Sequence, residues 1–255
     1  MANSESWHKI FQDCNIYAHD FDNKPFYITA GQIKKACQNF TETGQKEVRI
    51  LCKQDSRENR PQVFTDKGLF LLPVKNGEYV IIKGEGYVDI PQIAETQQIY
   101  TSKLDFKLDT SIVGNSEMQH LDFAYAASLI RTFMHDDSLV LTIRGRKYTP
   151  AFSFKVGKHT IAVESVQTEV DGGYEGKNQV VLIEAKNSGS LDIIIRQLYY
   201  PFRQWQAHTK KPVVTLFFEK ANDTYSVWEF RFNDVENYNS IELVKSGKFK
   251  INIKP

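Results

Sequence analysis

Over most of the chain, apolar and polar positions alternate in short runs, and helical spacing surfaces in only a few places. The first part mixes the two periods. Thr29, with Gln32 three residues on, has the form of a capped start to a short helix that carries Lys34 and Lys35. Gly68-Leu-Phe-Leu-Leu-Pro-Val and Glu78-Tyr-Val-Ile-Ile-Lys flank Lys75-Asn-Gly and predict a hairpin, because Asn76-Gly77 accepts the positive φ angles of a tight turn. Pro73 lacks a backbone N–H, which places its strand at a sheet edge or ends it there. The polar run from Gln54 to Gln62 predicts a surface loop. This region reads as a small α+β module.

A cluster of turn formers, Asp109 to Asn115, suggests a boundary and hence two segments, 1–115 and 116–255. Ser116-Glu-Met-Gln then has the form of a capping box. Met118, Leu121, Tyr125, Leu129 and Phe133 follow at helical spacing and predict one long helix. Strand-like runs come next: Leu139–Ile143, Ala151–Lys155, Thr160–Asp171 and Val180–Lys186. Leu191, Ile194, Leu198, Phe202 and Trp205 trace a second helix, which Pro201 should kink or cut short. Two strands, Pro212–Phe218 and Tyr225–Phe232, close the pattern. Helix, strands, helix, strands predicts an α/β (α+β) fold, a mixed sheet with helices against it.

Composition narrows the class. The 255 residues are 41% hydrophobic and 25% charged, which suits a packed globular chain. No apolar run approaches the roughly 20 residues that cross a bilayer. The first residues lack a basic stretch followed by an apolar one, so no signal peptide is expected. Three cysteines without a C-x-x-C pair form neither a disulfide framework nor a compact zinc site, and His8 and His19 do not complete one. A reducing cytoplasm is the simplest compartment. The net charge of +1 excludes a histone-like polycation but leaves DNA binding open, since local basic patches decide that. Neither a G-x-S-x-G elbow nor a phosphate-cradling G-x-x-x-x-G-K-[ST] loop is present.

One constellation of charges stands out. Glu184 and Lys186 end an apolar strand and leave the same face of it. Desolvating them is costly unless they pair or hold a cation. Glu169 and Asp171 end the preceding run, with Gly172-Gly173 read as the start of a turn. A hairpin between the two strands would bring Asp171 to Glu184. Carboxylates of this kind hold hard cations such as Mg²⁺, and a lysine beside them suits phosphodiester hydrolysis.

Asp171, twelve intervening residues, then Glu184-Ala185-Lys186 resembles the D…(D/E)-x-K signature of the PD-(D/E)xK nuclease superfamily. With Glu169-Val-Asp-Gly-Gly-Tyr and Arg196-Gln-Leu-Tyr-Tyr-Pro-Phe-Arg, the stretch from about Thr160 to Phe218 is similar to type II restriction endonucleases. No proline precedes Asp171; Val170 stands there. The resemblance implies a mixed central sheet flanked by helices, preceded by the small α+β module. It implies that Asp171, Glu184 and the Ala185 carbonyl hold Mg²⁺, that Lys186 prepares the attacking water, and that Gln197, or else Arg196, faces the site. Glu169 is the expected extra acidic residue; Glu164 is the other candidate.

The implied activity is Mg²⁺-dependent cleavage of both strands of duplex DNA at a short specific site. A homodimer and a protective DNA methyltransferase in the same system would accompany it. The 1–115 segment would then supply recognition and dimer contacts to a 116–255 catalytic domain. Candidate phosphate or base contacts are Arg144, Arg146 and Lys147, Arg57, Asn59 and Arg60, and Lys34 and Lys35. Other readings are a structure-specific repair or recombination nuclease, an RNA-directed nuclease, and a non-catalytic DNA-binding module.

Overall fold

The computed structural model describes residues 2–187 and 189–253. The chain opens with α1 (Ala2–Asp13), β1 (Phe26–Thr29), α2 (Ala30–Ala36), α3 (Thr43–Lys46), α4 (Val48–Leu51), α5 (Gln62–Asp66), β2 (Leu69–Lys75) and β3 (Glu78–Lys83). The strands form a three-stranded sheet in the order β1-β3-β2. Its core gathers Trp7, Phe11, Ile33, Phe64, Leu71 and Ile81. Thr29 and Gln32 make the capping box that the spacing predicts. The hairpin also forms, with positive φ at Gly77 alone, and Pro73 sits in the edge strand β2.

Next come β4 (Tyr87–Asp89), β5 (Gln98–Thr101), α6 (Glu117–Ala126), α7 (Leu129–Phe133), β6 (Val140–Tyr148), β7 (Phe152–Val156), β8 (His159–Val163) and β9 (Gln167–Glu175). They are followed by β10 (Val180–Asn187), β11 (Asp192–Ile194), α8 (Arg196–Gln206), β12 (Val213–Ala221), β13 (Thr224–Phe232) and β14 (Ile241–Asn252). A seven-stranded mixed sheet runs β5-β14-β13-β12-β10-β9-β6, and β11 pairs with β4 and β7 with β8. The fold is mixed α+β. β10 lies mid-sheet, parallel to β12 and antiparallel to β9, as its continuous apolar run requires. Val181, Ile183 and Ala185 face the α6–α7 layer with Leu121 and Phe133. Leu182 and Val180 pack with Val170 and Trp205 of α8.

Several expectations need correction. The long helix from Ser116 breaks at Ser128, whose φ is 66°, into α6 and α7. Ser116 caps the Gln119 amide, but the Gln119 side chain turns away to the Thr110 and Val113 carbonyls, so the box is half made. The run Thr160–Asp171 breaks at Ser165, φ 54°, between β8 and β9. Gly172-Gly173 is not a turn. Both lie inside β9, where a Cβ on Gly173 would stand 2.5 Å from Ile143 Cβ, so glycine here permits close approach of β6. Leu191 is 81% exposed and precedes β11, so the second helix starts only at Arg196. That helix carries Pro201 in its interior without ending there. Arg144-Gly-Arg-Lys-Tyr belongs to the bulged edge strand β6, not to a loop. β14 escapes the hydrophobic pattern because its charged residues leave Gly247 as its one buried position.

Candidate functional site

The register of β9 against β10 sets the site. Val180 faces Glu175 and Ile183 faces Gly172, which carries Asp171 to the end of β10. There the Asp171 Oδ2 accepts the Ala185 amide at 2.8 Å. Lys186 Nζ donates to Glu184 Oε1, as the two share a face. Gln197, in the first turn of α8, donates its Nε2 to the same oxygen at 2.6 Å. Asp171, Glu184, Lys186 and Gln197 are therefore brought together from two strands and a helix. A narrow cleft of about 10 Å³ beside Glu184 is lined by Gln197, Glu169, Leu198, Pro201 and Thr215.

Burial governs the electrostatics. It pushes the Glu184 carboxyl up to about 7 against the opposing pull of the Lys186 charge, with Asp171 adding repulsion. It also raises Asp171, partly offset by the Ala185 amide and Lys186. For Lys186 burial acts downward, but the Glu184 and Asp171 carboxylates outweigh it and hold the ammonium charged. Of the two carboxylates, only Asp171 Oδ2 and Glu184 Oε1 are engaged by donors among the described residues; each keeps a second oxygen for a ligand.

The other candidates are distributed differently. Glu169 is half exposed and its Oε2 takes Arg146 at 3.2 Å, so it rims the cleft and does not join the pair. Glu164 is exposed, and its amide donates to Val74 in the first sheet. Among the described residues no three His, Cys, Asp or Glu side chains gather in metal-holding geometry. Arg144 is tied to Asp122. Lys147 is exposed on β6, and Lys34 and Lys35 are exposed on α2. Arg57 is not a solvent-facing reader: it pairs with Asp89 at 2.5 Å and with Asp192 and Glu85 at 3.5 Å. Arg60 donates to the Leu69 carbonyl and lies over the Tyr87 ring. Asn59 is exposed.

The pattern missed three acidic groups around the site. Glu117, at the start of α6, accepts the Asn187 amide at 3.0 Å, and its charge acts on Asp171 and Lys186. In the sequence it shows only as an acidic first-turn residue. Glu219 faces Lys186 in the β10–β12 register, is buried, and accepts the Gly189 amide. Asp55 pairs with Arg196 at 3.3 Å, and its charge reaches Glu184. Neither Glu219 nor Asp55 has a local signal.

A family model described as "Domain of unknown function (DUF6997)" matches residues 82–250. The chain belongs to this family. A second model, "Domain of unknown function (DUF6996)", matches residues 4–81, the α1 to β3 unit with its three-stranded sheet. No curated protein and no solved structure matches the chain. Within the DUF6997 match lie Asp171, Glu184, Lys186 and Gln197; Asp55 and Arg57 lie within the other. Among the described residues of this DUF6997 chain no helix is long and apolar enough to cross a membrane.

Proposed function

We propose that the chain is a metal-dependent endodeoxyribonuclease of the PD-(D/E)xK kind, acting as a type II restriction endonuclease on duplex DNA. The observation that carries the reading is the convergence of Asp171, Glu184 and Lys186 where the pairing of β9 with β10 ends, with Gln197 closing on Glu184. The buried Glu184 and half-buried Asp171 carboxylates, each with an oxygen to spare, form the donor set that Mg²⁺ takes alongside waters. The donor set fits. Asp171, Glu184 and the Ala185 carbonyl would hold the ion, which when bound lowers the pKa of its water and offsets charge building on a phosphate.

The chain's own residues then do the following. Asp171 is fixed in place by the Ala185 amide. Gln197 and Lys186 both donate to Glu184 Oε1, so neither carboxylate swings. Lys186, kept charged by its two acidic neighbours, orients the attacking water and faces the phosphate's negative charge. Thr168 and Gln204, hydrogen-bonded at 2.5 Å, tie α8 to β9 one layer behind. A homodimer cutting both strands, with a companion methyltransferase, completes the restriction reading.

A repair or recombination nuclease of the same superfamily is the second reading. What favours it is that Arg57, Arg144 and Arg146 are already paired with carboxylates, which leaves fewer of the expected side chains to read bases. Digestion of long duplex DNA in Mg²⁺, with Lys186→Ala alongside, tests both. Discrete fragments from the parent alone support restriction. A smear, or a preference for branched DNA, supports repair. Equal cleavage by Lys186→Ala, or intact DNA of every kind, overturns the nuclease reading.

A further inference from the structure

The segment 54–57 lies far from the site in sequence and against it in space. It abuts the strand that leads into α8. The Asp55 carbonyl accepts the Ile194 amide at 2.8 Å, and the Asp192 Oδ1 accepts the Arg57 amide at 2.7 Å. The Arg57 guanidinium gathers Asp89, Asp192 and Glu85, drawing β4 and β11 together under one cation. Two residues before Arg57, Asp55 Oδ1 meets Arg196 Nη2 at 3.3 Å, with 18% and 22% of their side chains exposed. Arg196 is the first residue of α8, and its neighbour Gln197 is the residue that grips Glu184.

We infer that Asp55 is a positioning residue for the site: through Arg196 it fixes the first turn of α8, so that Gln197 reaches Glu184. This rests on the nuclease reading for its chemical consequence, though not for its geometry. A helix start has backbone amides with no partner inside the helix, and its first turn frays unless neighbours hold it. Here the Asp55 carbonyl takes the amide two residues before the helix, and the Asp55 carboxylate takes the side chain of the helix's first residue. Together they hold both sides of the joint. The 4–81 unit is thereby part of the machinery of the 82–250 unit, not a separate attachment. Arg57, in contrast, is saturated by carboxylates and a carbonyl, and acts on the strand, not on α8.

Asp55→Asn keeps the backbone carbonyl and the side-chain shape but removes the charge that holds Arg196. In the full chain, initial rates on duplex DNA in Mg²⁺ are expected to show kcat lowered about tenfold with KM unchanged, since small misplacement of a positioned group is costly in rate. Asp55→Glu is expected to recover part of that loss. Amide hydrogen exchange over residues 194–200 is expected to quicken in Asp55→Asn while the melting temperature barely moves. Parent-like kcat in Asp55→Asn overturns the inference, as does a loss confined to KM. If the parent cleaves no nucleic acid, the nuclease reading fails by itself. Hydrogen exchange then decides the geometric claim: unchanged exchange over 194–200 overturns it, and a local increase supports it.

Discussion

The end of β10 and the edge strand β6 carry the same kinds of side chain and use them in opposite ways. At β10, Glu184 is buried and Lys186 mostly so; burial raises the Glu184 carboxyl against the opposing Lys186 charge, and the Glu184 carboxylate in turn holds the Lys186 ammonium charged. On β6, Arg144 and Arg146 pair with Asp122 and Glu169 in the open. Water screens the second set, so each pair contributes about 0–1 kcal/mol and can exchange its partner for a phosphate. The first set has little water to fall back on, so burial favours the neutral carboxyl there and only a close cationic partner opposes it. Exposure, more than residue type, separates a site from a surface.

The sharpest way to break this contrast is Lys186→Ala, expected to lower DNA cleavage in Mg²⁺ by about a hundredfold or more, as loss of a group that moves or positions a proton does. Initial rates at saturating DNA check it. The two regions meet at Gly173, where an added Cβ would press on Ile143 of β6. Gly173→Ala is expected to cost about 1–3 kcal/mol, and a melting curve measures it.

Glu184 sharpens the buried side. Its carboxyl is raised from 4.5 to about 7, so the metal-free fold holds this proton more tightly than the unfolded chain does. The stability this provides is fully present below the unfolded value of 4.5 and is lost as pH rises to about 7. Glu184→Gln is expected to flatten that part of the melting-temperature profile in EDTA and to raise the melting temperature at pH 8 by a few degrees. A parent profile already flat between those values would deny that burial dominates Glu184. On the exposed side, Arg146→Ala is expected to leave the melting temperature within about a degree and to weaken DNA binding only severalfold, with a salt slope smaller by about 1. A large loss of stability would show that the β6 pairs are not screened.

The legibility of the two regions in the sequence follows the same division. Asp171, Glu184 and Lys186 could be placed because a buried strand ending in charges is unusual, and period-two geometry says which of them share a face. Gln197 could be placed because the next helical pattern after the charged strand end runs through it, although β11 intervenes before α8. Arg144 to Lys147 were legible as basic but not as strand, since their burial pattern carries no clean alternation. β14 was invisible for a similar reason. Gly172-Gly173 misled because glycine serves both turns and close strand approach, and only the partner strand tells which.

By itself the sequence determined the α+β texture, the capped α2, the Asn76-Gly77 hairpin, the burial of β10, and the pairing of carboxylates with a lysine at its end. These rest on contacts between near neighbours, where spacing and side-chain chemistry suffice. The tertiary structure alone decided that Glu169 pairs outward with Arg146, that Glu117 takes the Asn187 amide and Glu219 the Gly189 amide, and that Asp55 reaches Arg196. Each of these joins residues more than twenty positions apart. Such contacts follow from how sheets and helices pack, and a local pattern carries no record of them.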